Sequence, residues 1–187
     1  MKFNRKTLAA TVFMAGVSLS GAAFAEMTKM VGGAAMYPSK NIIQNAVNSK
    51  DNTTLVAAVK AAGLVDTLEG AGPFTVFAPT NAAFAHLPPG TVDSLLKPEN
   101  KGQLTTVLTY HVVPGHLTTA DLKSAVKEGG GQATFTTVQG EPLTITEKGR
   151  GRAFDITDSK GNTARITIAD VLQSNGVIHV INKVLMP

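Results

Sequence analysis

The sequence predicts an α+β fold, because helical and strand patterns occupy different parts of the chain. Apolar residues recur at helical spacing before a glycine-rich stretch at residues 128–132, and they alternate with polar residues after it. Short turns such as Gln139-Gly140 separate the later segments, which favours antiparallel strands. Helices followed by strands are typical of the α+β class. Neither half is long enough to bury its own core, so we expect one domain.

Most of the predicted helices begin at a residue that can cap them. Ser39 and Thr80 are expected N-caps, Thr118 and Asp121 form a capping-box pattern, and Gly63 suits the left-handed position that ends a helix. The predicted helices cover residues 40–49, 53–62, 64–69, 81–87, 92–96, 98–108 and 119–126.

The predicted strands alternate with period two or are short β-branched and aromatic runs between turn residues. They cover residues 74–78, 110–113, 133–138, 142–147, 152–157, 163–169 and 176–181. Residues 26–37 lack a periodic pattern and contain Gly32-Gly33, so we expect a loose N-terminal arm there.

Residues 1–25 have the pattern of a cleaved export signal. Three basic residues start the chain, an apolar stretch follows, and Ala23-Phe24-Ala25 provides the small residues that signal peptidase reads. The stretch is shorter than the roughly 20 apolar residues of a spanning helix. We therefore expect a mature chain that begins at Glu26 and is periplasmic in a Gram-negative source or otherwise secreted.

Composition excludes several partners and anchors. The signal holds three of the 17 basic residues and none of the 13 acidic ones, which leaves the mature chain a formal net charge of +1. Because this charge is nearly neutral and Trp is absent, we expect no nucleic-acid partner. Cysteine is also absent, which excludes disulfides and a lipid-bearing cysteine. The C-terminus has no long apolar tail, so we expect no membrane anchor.

The sequence offers no convincing catalytic, cofactor or metal site, so we expect a protein that is not an enzyme. Ser124 and Lys127 match the S-x-x-K pattern of serine–lysine enzymes, but the S-D-N and K-T-G strings that accompany it do not occur. His111 and His116 flank a Pro-Gly turn without zinc-type spacing.

Calcium binding is a second alternative for a metal site, besides the two histidines at residues 111 and 116. Asp155, Asp158 and Asn162 offer oxygen ligands, but they do not match the EF-hand string. The composition of residues 158–162 favours a hairpin turn instead.

Three segments in order carry a family resemblance. The first is Thr-Val-Phe-Ala-Pro-Thr-Asn-Ala-Ala-Phe at residues 75–84, and the second is Tyr-His-Val-Val at 110–113. The third is Asn-Gly-Val-Ile-His-Val-Ile-Asn-Lys-Val-Leu-Met-Pro at 175–187. Together they resemble the fasciclin-like domain family over residues 38–187, and similar bacterial members are small, single-domain and exported.

The resemblance implies a β-sandwich or wedge of two sheets with helices packed along it. It also implies adhesion or matrix binding without catalysis, with an extracellular protein or polysaccharide as the partner, and it leaves the oligomeric state open. Tyr110 and His111 match the family's tyrosine–histidine element, which is linked to adhesion. Asn182 and Lys183 match the start of a segment in which some animal members carry an integrin-associated Asp-Ile pair. Val-Leu follows here instead, which argues against integrin binding.

Other matching residues are expected to specify the fold. Pro79 stops strand pairing, Thr80 caps the next helix, and Gly176 permits a tight strand entry. Asn81 stands where many members have Asp, so it supports a helix start without a charge. The full set is Pro79, Thr80, Asn81, Phe84, Gly176 and His179.

The environment of Tyr110 and His111 can be predicted from their neighbours. If residues 110–113 form a strand, these two side chains point to opposite faces. The apolar residues around them favour burial of His111, and we expect it to be hydrogen-bonded near the helix start at Thr80–Asn81.

Two other functions remain open at the sequence level. The first is carriage of an apolar small molecule such as a carotenoid, because small side chains could leave a groove between helices and sheet. These are Ala57, Ala58, Ala61, Ala62, Ala82 and Ala83. The second is an exported hydrolase, which Ser124 and Lys127 alone support.

Overall fold

The computed structural model describes residues 28–149 and 153–187. The predicted signal at residues 1–25 lies outside the described residues, as does the first residue of the strand predicted at 152–157. The helices are α1 Ile42–Ala46, α2 Thr53–Ala62, α3 Val65–Glu69, α4 Asn81–Ala85, α5 Thr91–Leu95, α6 Lys101–Tyr110 and α7 Thr119–Glu128. The strands are β1 Lys29–Val31, β2 Ala34–Met36, β3 Phe74–Pro79, β4 Val112–Pro114, β5 Gln132–Thr136, β6 Pro142–Lys148, β7 Ala153–Thr157, β8 Thr163–Gln173 and β9 Gly176–Ile181.

Seven strands form one sheet in the order β4-β3-β9-β8-β7-β6-β5. The central pair β3 and β9 is parallel, and the other neighbours are antiparallel. Val138 N–H donates to the carbonyl of Val112 at 2.7 Å and so links the two ends of the sheet. The sheet is therefore nearly closed, and the predicted α+β class is confirmed.

Strand β8 joins the two sheets that the resemblance implies. Its first residues, 163–165, pair with β7, whereas residues 166–173 pair with β9. Register shifts between residues 166 and 171 bend the strand between these partners, as β-bulges do. The two predicted sheets are the two halves of one bent sheet, joined by a strand longer than the predicted 163–169.

Strand β9 lies between two hydrophobic clusters and is buried along its whole length. Ile178 and Val180 face the cluster formed with α1, α2 and α6, while Ile181 faces the cluster formed with α7 and β6. The alternation of side chains along a strand places successive residues on opposite faces. This central position makes β9 the element on which both clusters depend.

Two sequence predictions about secondary structure are wrong. Residues 29–36 form the β1–β2 hairpin where a loose arm was expected, with Met36 buried against the core. The strand predicted at 110–113 begins only at Val112, because α6 continues to Tyr110. The helix therefore ends two residues beyond the predicted residue 108, with Val107 buried in one hydrophobic cluster and Tyr110 in the other. The domain boundary at residue 38 stays a prediction.

The predicted helix ends are mostly confirmed. Thr80 accepts a hydrogen bond from the N–H of Ala83, and Thr118 forms a capping box with Asp121. Gly63 has a φ of 73°, as its position after α2 requires. Helix α1 differs, because Asn41 rather than Ser39 is its N-cap.

Candidate functional site

The Tyr110 side chain is buried and joins three elements. Its hydroxyl donates to the carbonyl of Pro142 at 2.9 Å and accepts from the N–H of Ser159 at 2.9 Å. These bonds connect the end of α6 to β6 and to the turn between β7 and β8. Burial raises the pKa of the phenol.

The His111 ring is also buried, and it connects α6 to the C-terminal residues. Its Nε2 accepts from the backbone N–H of Leu185 at 3.0 Å, so its Nδ1 carries the proton and donates to the carbonyl of Val107 at 2.8 Å. Burial lowers the pKa of this imidazole to about 4, so the ring is neutral at pH 7.

The predictions for this pair are partly confirmed. His111 is buried and hydrogen-bonded as expected, with 2% of its surface exposed. The hydrogen-bond partners of its ring are Val107 and Leu185, and its backbone carbonyl accepts from the N–H of Phe77, in the strand that precedes the helix start at Thr80–Asn81. Tyr110 is fully buried too, because the two residues end a helix and do not alternate across a strand. Neither side chain is presented to a partner in this structure.

His179 on β9 is a second buried histidine bridge. Its Nδ1 accepts from the N–H of Asp170 at 3.3 Å, and its Nε2–H donates to the carbonyl of Leu117 at 2.8 Å. The ring stacks on Phe77 with the ring centres 5.7 Å apart. Burial lowers its pKa as well. His179 is fully buried, in keeping with the expectation that it specifies the fold.

Asn81 connects two helix starts. Its Oδ1 accepts from the N–H of Thr54 in the first turn of α2, and its Nδ2 donates to the carbonyl of Lys50. An aspartate would lack the donor for this second bond, which accounts for Asn at this position. Pro79 ends β3, and its carbonyl accepts from Asn52, so both belong to the same junction.

Gly176 is required by the close approach of two strands. A Cβ atom built there would lie 2.0 Å from the carbonyl oxygen of Phe74, so a larger residue forces β3 and β9 apart. Asn175 beside it accepts from the N–H of Ile42 and donates to the carbonyls of Leu68 and Gly70. The entry to β9 is therefore tied to α1 and α3. Phe84, the remaining structural residue, is buried in the core as expected.

Asn182 and Lys183 lie on the surface just after β9. Asn182 exchanges two bonds with the backbone of Arg165, one through its own N–H and one through its side-chain oxygen. The Arg165 side chain is 57% exposed and forms an ion pair with Asp155 at 2.9 Å. We call Arg165, Asn182 and Lys183 the β8–β9 end surface. It brings two of the four predicted binding residues together with one that sequence reasoning missed.

Asp155 and Asp158 have structural partners that account for them. Asp158 accepts from the N–H groups of Lys160 and Asn162 within its turn, and from the N–H of Met186 at 3.0 Å. The carboxylate of Asp155 holds Arg165. Within residues 28–149 and 153–187, there is no group of three His, Cys, Asp or Glu residues that could bind a metal.

The serine–lysine pair has no enclosed site around it. Ser124 and Lys127 are exposed on the surface of α7, and in the described structure no hydrogen bond joins them. A nucleophilic serine needs a base within hydrogen-bond reach, so the geometry gives no support to the hydrolase alternative.

An apolar cavity of about 70 Å³ lies between the helices and the sheet. Its walls include Ile42, Leu55, Val59 and Ile178, and the His111 ring reaches it from α6. Pockets for drug-sized ligands measure about 300–1,000 Å³, so a carotenoid does not fit in this conformation.

Among the residues that the structure describes, no helix is long and apolar enough to cross a membrane.

The fasciclin domain matches residues 50–187. The chain belongs to the fasciclin domain family. It is 47% identical over 164 residues to protein sll1483 of Synechocystis, and this match covers 87% of this chain and 82% of that protein. It is 39% identical over 147 residues to immunogenic protein MPB70 of Mycobacterium bovis, covering 76% of this chain and 66% of the relative.

Longer relatives extend the fasciclin family beyond bacteria. Transforming growth factor-beta-induced protein ig-h3 of Sus scrofa is 38% identical over 133 residues, and this match covers 71% of the chain but only 17% of that protein. A FAS1 domain pair from the insect cell adhesion molecule fasciclin I superposes with a TM-score of 0.71 at 20% identity. That match covers 81% of this chain and 52% of the pair, and it confirms the fold.

Sequence reasoning missed two residues that position parts of the site, Asp170 and Arg165. The N–H of Asp170 donates to His179, and the N–H of Arg165 donates to Asn182. Asp170 has a φ of 53° within the bulge of β8, and its carboxylate accepts from the N–H and hydroxyl of Thr119 at the start of α7. Asp tolerates the left-handed region, so an Asp inside an otherwise alternating strand was the available signal. Arg165 gave no signal, because alternation alone places it on an exposed face.

Proposed function

We propose that this protein is an exported, non-catalytic adhesion or surface-interaction module. Membership of the fasciclin domain family carries the proposal, since the family includes a cell adhesion molecule with the same fold. Ser124 and Lys127 are exposed, and the carboxylates of Asp155 and Asp158 accept hydrogen bonds from Arg165 and from the N–H of Met186. These contacts support a role without catalysis. The export-signal pattern of residues 1–25 supports a role outside the cytoplasm.

The β8–β9 end surface is the proposed contact site for an extracellular polysaccharide or protein. Lys183 is exposed and carries a positive charge that can pair with an acidic group, while Asn182 is anchored by Arg165. The side-chain amide of Asn182 retains donors that no described residue uses. Anchored polar groups beside a charge are suited to orient a partner, because less side-chain freedom is lost on binding.

A binding assay on the mature chain tests this proposal. Immobilised acidic and neutral polysaccharides and extracellular-matrix proteins are presented to wild type, Lys183→Glu and Lys123→Glu. Lys123 is the matched control, because it is an exposed lysine on α7. We expect Lys183→Glu to weaken binding by about tenfold, through loss of an attraction and gain of a repulsion. Equal binding by all three proteins would move the contact site elsewhere, and no binding to any surface would count against adhesion.

Carriage of an apolar small molecule is the alternative function. The apolar walls of the cavity favour it, whereas the volume of about 70 Å³ limits the occupant to a small molecule unless the helices move. Protein purified from its natural source decides this point. A visible absorbance band or a bound mass in native mass spectrometry supports a carrier, and a colourless, ligand-free protein argues against it.

A further inference from the structure

The last six residues, 182–187, form a segment without helix or strand that is held by hydrogen bonds to distant elements. The N–H of Leu185 donates to His111, and the N–H of Met186 donates to the carboxylate of Asp158. Val184 and Leu185 are buried, one in each hydrophobic cluster. The segment therefore closes over both halves of the core. We call it the C-terminal segment.

The bond from Leu185 requires a neutral imidazole. A backbone N–H can only donate, so it needs a lone pair on Nε2 of His111. Protonation places a second N–H at that position, and two donors then face each other inside the core. The other ring nitrogen already donates to Val107, so the ring cannot rotate to relieve the contact without losing that bond.

The surroundings of His111 determine when it takes up a proton. The ring contacts its own helix through Val107 and the C-terminal segment through Leu185, and those contacts are with uncharged backbone groups. Asp158 in the turn between β7 and β8 is the charged group that acts on the ring, and its carboxylate favours the imidazolium. Burial opposes the charge more strongly and keeps the pKa at about 4.

We propose that mild acid releases the C-terminal segment while the rest of the domain stays folded, with His111 as the proton sensor. Release frees Nε2 of His111 to bind a proton in contact with water, and it exposes the apolar side chains of Val184 and Leu185. The device is independent of the proposed adhesion, because it depends on contacts inside the fold.

The size of the response follows from proton linkage. The docked ring has a pKa of about 4, and a solvated histidine has one near 6.5. Between these values, the equilibrium constant for release rises by up to about tenfold for each pH unit of acidification. The expected change from pH 6.5 to 4 is therefore about 80-fold.

A single spin label measures the release directly. The chain has no cysteine, so Lys183→Cys gives one labelling position on the exposed part of the segment. We expect a mobile nitroxide signal to grow reversibly between pH 6.5 and 4, while far-UV circular dichroism of the same sample stays unchanged. A label that stays immobile at pH 4, or that gains mobility only as the circular dichroism is lost, would overturn the proposal.

Two variants identify the sensor. In His111→Gln, the side-chain amide can still accept from Leu185 and donate to Val107, but it does not titrate, so the label should stay immobile in acid. His86→Gln is the control, because His86 is exposed and should leave the release intact. Release of the same size in His111→Gln would contradict the role of His111. If that variant does not fold, the wild type decides: the imidazole NMR signal of His111 and the label mobility must share one midpoint, and different midpoints refute the proposal.

Discussion

Two histidines in the core show how one residue type is used in two orientations. His111 accepts through Nε2 and donates through Nδ1, whereas His179 does the reverse. Each ring joins two backbone segments that have no regular pairing with each other. A neutral imidazole suits this task because it carries one donor and one acceptor on opposite sides. The apolar neighbours predicted burial, but sequence cannot specify which nitrogen accepts, since that depends on distant segments such as residues 117 and 185.

The first prediction concerns the pH dependence of stability. The pKa of His111 is about 4 in the folded state and near 6.5 when unfolded, so the unfolded chain binds the proton more readily. Stability is therefore full above pH 6.5 and falls as the pH decreases towards 4, by at most about 3 kcal/mol from this residue. The decrease ends where the C-terminal segment is released, because the ring then binds the proton in the folded chain as well. Urea unfolding at successive pH values measures the slope. His111→Gln should remove about this share of it, and an unchanged slope in that variant would contradict the assignment.

Among the strands that the sequence predicts, the bounds of β9 agree with the structure, whereas β8 is four residues longer than predicted. Residues 176–181 alternate within a short run bounded by Asn-Gly and Asn-Lys, and both predicted ends agree with the structure. Strand β8 continues through Asp170 to Gln173, and the polar residues in this part interrupt the alternation from which strands are predicted. The end of α6 was missed because Tyr-His-Val-Val has a high strand propensity, which predicts a strand at residues 110–113. Tertiary packing overrides this propensity, and Tyr110 belongs to the helix.

The second prediction concerns the close contact of β3 and β9. Gly176→Ala places a Cβ atom 2.0 Å from the carbonyl of Phe74, so it should destabilise the fold by more than about 3 kcal/mol or prevent folding. Gly102→Ala is the matched control, because it lies in α6 with open space around it. Alanine there should stabilise the helix by about 0.5–1 kcal/mol. Chemical unfolding compares the two, and similar effects from both would show that the strand contact is not restrictive.

At the scale of the whole molecule, family and class were accessible from sequence, whereas closure of the sheet was not. Local patterns predict elements, but the pairing of Val138 with Val112 depends on residues far apart in the chain. Only part of the proposed binding surface could be predicted from the sequence. Asn182 and Lys183 follow from the resemblance, whereas Arg165 lies beside them only because of the β8–β9 register. The bulges that set this register leave little trace in the sequence.

The third prediction concerns processing and cofactors of the whole chain. Exported protein should begin at Glu26, because Ala23 and Ala25 form the cleavage pattern. An intact mass that retains residues 1–25 would refute this.

The melting temperature should not change with EDTA or with reductant, since the chain lacks cysteine and its carboxylates at 155 and 158 have protein partners. A fall of several degrees with EDTA would instead support a calcium site there.

Tyr110 and His111 stabilise the fold through buried hydrogen bonds, and we propose that Lys183 contacts the partner. The most direct test of these two roles measures melting and partner binding of His111→Ala and Lys183→Ala side by side. His111→Ala leaves Leu185 and Val107 without their hydrogen bonds, which costs roughly 1–3 kcal/mol and lowers the melting temperature by about 2–4 °C per kcal/mol. Its binding should fall only as far as the loss of folded protein requires. Lys183→Ala should melt like wild type and bind more weakly. The opposite pattern, a His111→Ala variant that melts like wild type but does not bind, would contradict the account and make His111 a contact residue.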